Sequence, residues 1–167
     1  SALRIPRKWT EVETIKRESI QHLSVERFVK MYEKPNLPVI LTGCDQHPGS
    51  AAAYEKWGRE YLLDTASAAT TFNAVGMQLS LSSYFKYSDE QNDDNPIYLF
   101  DKMFIHNTPQ FGEDYEPLPY FSKDRDLFDL LDGTGCRPDH RWLIVGPERS
   151  GSRFHIDPNG TSAWNAV

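Results

Sequence analysis

The chain has 167 residues, of which 13% are aromatic, and a formal net charge of -6. This length supports one domain with a hydrophobic core, and the aromatic content argues against a disordered chain. An acidic chain without a run of Lys and Arg cannot neutralise phosphates, so direct nucleic-acid binding is not expected. No apolar segment is long enough to cross a membrane and no secretory signal is evident, so the sequence predicts a soluble intracellular protein.

The first half of the chain carries mainly helix signals. Thr10 and Glu13 match a capping box, and Ser24 can cap a segment in which apolar residues recur at helical spacing. Cys44 and the distant Cys136 favour two reduced thiols over a disulfide. The predicted elements are a helix over 11–20, a helix after Ser24 that ends at Pro35, a buried strand over 39–42, and a helix over 52–63 with Tyr54, Trp57, Tyr61 and Leu62 inward.

The second half of the chain carries mainly strand signals. Strands are predicted over 69–75, 97–100, 142–145, 153–157 and 162–167, with an ambiguous segment over 81–87 and a short helix over 124–131. Loops are predicted over 88–95 and 106–119. Helices followed by closely spaced strands predict an α+β fold, with a helical preface over 1–66 and an all-β barrel or sandwich over 67–167. Because the last strand stops in mid-run at Val167, we expect missing residues or a partner to complete the sheet.

A His and an Asp stand two positions apart in one of the predicted strands. Side chains at i and i+2 share a face of a strand, so His155 and Asp157 can converge on one metal ion. A second His would complete the two-His, one-carboxylate triad that binds Fe(II) and leaves positions open. None of the other four histidines is an obvious third ligand. The alternative is a plain His–Asp hydrogen bond within a sheet, and the local residues favour neither reading.

The sequence around this pair closely resembles the iron-binding segment of JmjC-domain 2-oxoglutarate oxygenases. Residues 146–165 read Gly-Pro-Glu-Arg-Ser-Gly-Ser-Arg-Phe-His-Ile-Asp-Pro-Asn-Gly-Thr-Ser-Ala-Trp-Asn. The segments 23–43 and 93–101 are similar to the phosphatidylserine-receptor-like branch, known for lysyl hydroxylation and arginine demethylation. The resemblance implies a double-stranded β-helix, the jelly-roll barrel of the cupins, of which this chain would hold only the N-terminal part.

The resemblance also implies roles for individual residues. His155 and Asp157 would be two of the three ligands of Fe(II). The co-substrate 2-oxoglutarate would contact Tyr98, Ser152, which stands where the family has Thr, and Asn165. Trp142 matches a structural aromatic residue near the site. The structural alternatives are a core tyrosine for Tyr98, a turn residue for Ser152 and a strand cap for Asn165.

Two family elements would lie beyond Val167: a Lys that pairs with the distal carboxylate of 2-oxoglutarate, and the His that is the third iron ligand. We therefore expect that this chain alone forms no intact site and that the C-terminal half of the domain completes it. The acidic segments 88–94 and 112–116 could attract a basic peptide, although a solvated acidic surface is the favoured reading.

The expected function is an Fe(II)- and 2-oxoglutarate-dependent dioxygenase, with O2 as co-substrate, that oxidises a side chain of a protein. The branch resemblance favours lysine over methyl-arginine, and it favours a nuclear over a cytoplasmic location. One alternative is a catalytically inactive JmjC-like protein-interaction module, which would have lost the distal His or the Lys. Another is a cupin-like metal protein with a different chemistry.

Overall fold

The computed structural model describes residues 6–166, which form two compact units that are each discontinuous in sequence. The first unit combines residues 6–58 with 111–138, and the second combines 59–110 with 139–166. The division at residue 66 into a helical preface and a barrel stays a prediction.

Helices and strands are interspersed along the described chain, and all of them are short. The helices are α1 Arg7–Thr10, α2 Val25–Phe28, α3 Ala51–Lys56, α4 Arg59–Thr65, α5 Leu81–Glu90, α6 Phe104–Asn107 and α7 Gln110–Glu113. The strands are β1 Lys16–Ser19, β2 Val39–Thr42, β3 Thr71–Ala74, β4 Met77–Ser80, β5 Leu99–Asp101 and β6 Leu143–Val145. A π-helical turn, Val29–Glu33, extends α2, and 3-10 turns occur at Cys44–Gln46, Pro119–Phe121, Lys123–Arg125, Leu127–Leu131 and Pro158–Gly160. No helix among these residues is both long and apolar enough to cross a bilayer.

The helix predicted over 11–20 is wrong, because β1 occupies part of that segment. β1 pairs in parallel with β2, from Lys16 opposite Val39 to Ser19 opposite Thr42. The capping-box signal is local, and hydrogen bonds to a strand distant in sequence outweigh it. The strand over 39–42 and the helix after Ser24 are confirmed, and the Ser24 hydroxyl accepts the Arg27 N–H at 3.2 Å.

The core of the first unit forms around the aromatic side chains of α2 and its π-helical extension. Its buried residues are Leu23, Phe28, Tyr32, Leu118 and Tyr120. The rings of Phe28 and Tyr120 lie 4.8 Å apart, and the Tyr120 hydroxyl donates to the Leu23 carbonyl at 2.7 Å. The helical spacing of Phe28 and Tyr32 therefore did identify a buried face.

In the second unit, α5 lies between two antiparallel strand pairs along the chain. β3 pairs with β4 and β5 pairs with β6, and Leu99 stands opposite Val145 at the end of the second pair. The segment over 81–87, which fitted a strand or a helix, is helical and continues through Glu90. Its N-terminus is capped by Ser80, which accepts the Ser83 N–H. The largest fully buried side chains of this unit are Phe72, Tyr84 and Leu99.

The all-β barrel is not formed by residues 6–166, which have three separate two-stranded sheets and a mixture of helices and strands. The predicted strands over 153–157 and 162–167 are absent over 153–166, and Val167 lies outside the described residues. A strand needs a hydrogen-bonded neighbour, and no described segment pairs with this one, so Phe154 and Ile156 are exposed. The mixed α+β character is confirmed, whereas the jelly-roll stays an expectation from the family.

Other predicted bounds shift by a few residues. The helix over 52–63 is interrupted at Trp57 and Gly58, between α3 and α4. The predicted helix over 124–131 consists of 3-10 turns, and short helices interrupt the predicted loop over 106–119. The strand over 97–100 is displaced to Leu99–Asp101, whereas the strands over 69–75 and 142–145 are confirmed as β3 and β6.

A buried carboxylate joins the strands of the second unit. Asp101 is 3% exposed, and it accepts the Asn73 N–H and the Met103 N–H, each at 2.7 Å. These two backbone groups belong to β3 and to the residue before α6. Asp101 therefore ties β3 to the end of β5 and fixes the turn that follows.

We predict that Asp101→Asn lowers the free energy of unfolding by about 1–3 kcal/mol, because the amide NH2 cannot accept a backbone N–H that stays buried. Asp139→Asn in the same unit is the matched control, since its ion pair with Lys102 is half exposed and should contribute less than about 1 kcal/mol. Urea denaturation of both variants measures the difference. Equal stabilities would show that Asp101 does not tie the strands together.

Candidate metal and co-substrate site

The predicted site residues all lie in the second unit, around β5 and the segment that follows β6. A tight turn ends β6: the Ser150 N–H and hydroxyl both reach the Pro147 carbonyl, at 3.1 and 2.6 Å. Arg149 in this turn has a positive φ of 73°. The chain therefore leaves the sheet at Gly146 and continues without a strand partner to Asn165.

His155 and Asp157 are brought together, although not by a strand. The His155 Nε2 atom lies 3.2 Å from Asp157 Oδ1, and His155 Nδ1 lies 2.6 Å from the Arg153 carbonyl oxygen. A carbonyl only accepts, so Nδ1 carries a hydrogen and Nε2 is the nitrogen that faces the carboxylate. Both side chains are partly exposed, at 54% and 37%. The local backbone, rather than a sheet, aims the imidazole at the carboxylate.

The surroundings of His155 favour its protonated form. Its pKa is raised, first by the hydrogen bond to the Arg153 carbonyl; desolvation comes next and lowers it, and the charge and hydrogen bond of Asp157 raise it further. A metal ion would take the place of the Nε2 proton, because a histidine binds metal in its neutral form. A proton and a metal ion would therefore compete for the same position between Nε2 and Oδ1.

The separation of this pair suits two neighbouring metal ligands. Nitrogen and carboxylate ligands lie roughly 2.0–2.2 Å from a first-row metal, so two ligands at right angles are about 3 Å apart. The observed 3.2 Å fits that spacing and equally fits a direct hydrogen bond. No group of three or more His, Cys, Asp or Glu side chains that could hold a metal occurs within residues 6–166. The described residues thus offer two ligands, and the iron assignment stays a prediction.

Tyr98 lies immediately before β5 and next to an aromatic surface. Its ring is half-buried and meets Phe100 edge-on with centroids 6.1 Å apart, and Phe100 stacks on Trp142 at 5.8 Å and 21°. Phe100 and Trp142 are 41% and 40% exposed. Tyr98 and Phe100 therefore share one face, as the alternation along this segment predicts.

Ser152 and Asn165 are exposed, and the described part of the chain gives neither of them a hydrogen bond to Tyr98, His155 or Asp157. The segment that carries them has no strand partner, so nothing aligns its side chains on a common face. Their roles as co-substrate contacts stay predictions from the family resemblance.

Some of the acidic side chains considered for a basic peptide have partners within their own unit. Asp89 binds Arg59 through both carboxylate oxygens, at 2.8 and 2.6 Å. In the first unit, the buried Asp114 accepts from Lys56 at 2.9 Å and from the Trp57 indole at 3.0 Å. These contacts reduce the charge that is available to a peptide.

Two tyrosines of α5 that the sequence did not single out contact the backbone beside Tyr98. The Tyr84 hydroxyl donates to the Val145 carbonyl at 2.7 Å. The Tyr87 hydroxyl accepts the Ile97 N–H at 3.0 Å and donates to Asp93 at 2.7 Å. Tyr84 and Tyr87 are three residues apart, a spacing that puts both side chains on one face only if the segment over 81–87 is a helix.

No family model matches the chain, but curated proteins do. The chain is 45% identical over 162 residues to Arginine-specific demethylase JMJ22 of Arabidopsis thaliana, covering 96% of this chain and 30% of the relative. It is 36% identical over 162 residues to Bifunctional arginine demethylase and lysyl-hydroxylase psr-1 of Caenorhabditis elegans, covering 93% and 39%. It is 35% identical over 156 residues to Lysine-specific demethylase JMJ21 of Arabidopsis thaliana, covering 90% and 16%. The chain thus spans well under half the length of these relatives.

We predict that Asp157→Asn lowers the pKa of His155 in the metal-free protein, although the Arg153 carbonyl keeps it raised above the ordinary value of a histidine. In the wild type, the protonated pair favours the folded arrangement below the unfolded-state pKa, and this contribution is lost as the pH rises through the raised value. Fe(II) binding should conversely weaken as the pH falls through that value. NMR titration of the ring protons measures the shift.

The control for this titration is Asp45→Asn, which removes a carboxylate from the other unit. It should leave the His155 titration unchanged. If Asp157→Asn also leaves it unchanged, the two side chains do not face each other in solution.

Proposed function

Because this chain is homologous to JmjC proteins, we propose that it contributes to an Fe(II)- and 2-oxoglutarate-dependent dioxygenase that oxidises a side chain of a protein substrate. The observation that carries the proposal is the convergence of His155 Nε2 and Asp157 Oδ1 at 3.2 Å, within the segment that resembles the iron-binding segment of that family. A nuclear location belongs to the same proposal and is supported by the family resemblance alone.

In this proposal, the described residues hold one side of the reaction centre. His155 and Asp157 would hold the metal, and a third ligand would come from outside the described residues. When bound, Fe(II) and 2-oxoglutarate would activate O2, so that one oxygen atom enters succinate as 2-oxoglutarate loses CO2 and the other is inserted into a substrate C–H bond. Protein groups around such a centre bind, orient and exclude water.

The Arg153 carbonyl has a positioning task in this arrangement. It accepts the Nδ1 hydrogen at 2.6 Å, which fixes the imidazole orientation and leaves Nε2 for the metal. Hydrogen bonds of this kind raise the basicity of a histidine ligand and set its ring angle. The segment between the turn at Ser150 and Asp157 therefore orients the ligands with its own backbone.

In this proposal, Tyr98 contacts the co-substrate, together with Ser152 and Asn165. Its half-buried ring carries one hydroxyl, and the neighbouring rings of Phe100 and Trp142 form an apolar side wall. An apolar wall strengthens a hydrogen bond from Tyr98 to a carboxylate, because water is kept from that side. Tyr98 thus orients 2-oxoglutarate without taking part in bond breaking.

Lysine is the favoured target side chain, on the branch resemblance, and hydroxylation is the favoured reaction. Demethylation of methyl-arginine is the second candidate, and the 45% identity to an arginine-specific demethylase supports it. Both reactions oxidise a C–H bond next to or within a basic side chain. Mass spectrometry of matched lysine and methyl-arginine peptides distinguishes them.

We predict that Asp157→Ala in the full-length protein abolishes 2-oxoglutarate turnover and reduces Fe(II) affinity, because one of the two ligands is removed. Succinate formation and metal content are the measurements. Asp139→Ala is the control, since it removes a half-exposed carboxylate of the same unit and should preserve both properties. Unchanged succinate formation in Asp157→Ala would refute the iron assignment.

The inactive interaction module makes a different prediction for the same experiment. A module without catalysis forms no succinate in the wild type and binds a protein equally well before and after Asp157→Ala. Comparing the wild type with Asp157→Ala therefore distinguishes an enzyme from an inactive interaction module.

We predict that Tyr98→Phe leaves the fold intact and raises the apparent KM for 2-oxoglutarate. The expected increase is roughly threefold to tenfold, because one hydrogen bond to the co-substrate is lost. Steady-state kinetics with varied 2-oxoglutarate measure it. Tyr115→Phe, a half-buried tyrosine of the first unit, is the control. An unaltered KM would remove Tyr98 from the site.

A further inference from the structure

We propose that Tyr84 and Tyr87 of α5 are positioning residues that hold the backbone bearing Tyr98, and so set where its hydroxyl meets 2-oxoglutarate. The inference rests on the proposed function, because it takes Tyr98 as a co-substrate contact. It adds to that function a helix whose side chains touch neither metal nor co-substrate.

The first support is the hydrogen bonding of Ile97, the residue before Tyr98. Ile97 precedes β5, which begins at Leu99, so no ladder hydrogen bond is available to its N–H. The Tyr87 hydroxyl accepts that N–H at 3.0 Å. A half-buried backbone N–H needs a partner, and here a side chain takes the place of a neighbouring strand.

The second support is the buried hydroxyl of Tyr84. Tyr84 is fully buried, and its hydroxyl donates to the Val145 carbonyl at 2.7 Å, with the Ile97 carbonyl at the longer distance of 3.5 Å. Val145 is the last residue of β6 and stands opposite Leu99. The Tyr84 hydroxyl therefore lies at the end of the β5–β6 pairing, next to the residue that precedes β5, which is Tyr98.

The third support is the state of the Tyr87 hydroxyl. It donates to Asp93 Oδ2 at 2.7 Å, and this hydrogen bond raises the pKa of Tyr87. The hydroxyl thus keeps its hydrogen at neutral pH, and its direction is set by Asp93. Its free lone pair is consequently directed at Ile97 N–H.

The backbone of Gly146 also lies close to Tyr98. A Cβ placed at Gly146 would lie 3.1 Å from the Tyr98 Cβ and would overlap the Ser150 hydroxyl. Tyr98 is therefore confined by a backbone that α5 holds and by a turn that admits no side chain at Gly146. Small displacements of a binding group can cost large factors in rate, so such confinement matters to catalysis.

The test uses the full-length protein with Tyr87→Phe, Tyr84→Phe, Tyr98→Phe and the double variant Tyr87→Phe with Tyr98→Phe. Tyr87→Phe should raise the KM for 2-oxoglutarate roughly threefold to tenfold while kcat at saturation and Fe(II) affinity stay near wild type. In the Tyr98→Phe background, the same change should have no further effect, because the two residues act on one contact.

A second readout needs neither metal nor turnover. Hydrogen exchange at the Ile97 amide of the metal-free protein should be faster in Tyr87→Phe, because its acceptor has been removed. Tyr87 is half-buried, so this variant is expected to fold even if Tyr84→Phe, whose hydroxyl is fully enclosed, does not.

Matched controls come from the first unit. Tyr120→Phe removes a hydroxyl that donates to a backbone carbonyl at 2.7 Å, as Tyr84 does. Tyr32→Phe removes a hydroxyl that donates to a carboxylate at 2.6 Å, as Tyr87 does. Both should leave the KM for 2-oxoglutarate at the wild-type value, even if they lower stability by a similar amount.

The possible failures are distinguishable. If the wild-type protein shows no 2-oxoglutarate turnover, the proposed function is overturned, and with it the role of Tyr84 and Tyr87 in positioning Tyr98. Wild-type turnover combined with an unchanged KM in Tyr87→Phe overturns the positioning inference alone. Additive effects of Tyr87→Phe and Tyr98→Phe also overturn it, because they indicate a general effect on stability.

Discussion

The pairing of β5 with β6 is the interaction on which the candidate site depends. It joins Leu99–Asp101 to Leu143–Val145, so that Tyr98 precedes one strand while Trp142 precedes the other and Gly146 follows it. Three residue pairs form a short ladder, and a two-stranded sheet is weak by itself. Buried polar groups stabilise the β5–β6 pair at both ends. Asp101 accepts hydrogen bonds from two backbone N–H groups, and the Tyr84 hydroxyl donates to the Val145 carbonyl.

The His155–Asp157 pair shows how a short segment can bring an imidazole and a carboxylate together without a sheet. The Arg153 carbonyl holds one imidazole nitrogen, and this leaves the other facing the carboxylate. The Arg153 carbonyl, which contributes most to the raised pKa of His155, faces the other ring nitrogen, whereas the Asp157 carboxylate would also favour a cation placed between the two groups. Proton binding and metal binding would thus be alternatives at one position, and metal binding there would depend on pH. The homology to JmjC demethylases and hydroxylases indicates which cation chemistry to test first.

Sequence reasoning succeeded where local and long-range forces agree. Ser24 caps the helix it was expected to cap, and Val39–Thr42 forms the expected strand. It failed where they conflict: a capping-box signal predicted a helix over 11–20, but parallel pairing with β2 makes Lys16–Ser19 extended. Apolar alternation over 153–157 predicted a strand, yet no described segment pairs with it.

The amino-acid sequence by itself determined which reactive groups are present: an imidazole and a carboxylate two positions apart, in a segment whose residues resemble those of a known family. Those features are local, so they can be read without knowing the fold. Only the tertiary structure decided how the side chains are held, including the Tyr87 hydroxyl on the Ile97 N–H and Asp101 between strands. The identity of a tyrosine or an aspartate does not reveal whether it lies in a core, on a surface or in contact with the backbone. Its hydrogen-bond partner depends on which distant segments the chain brings together.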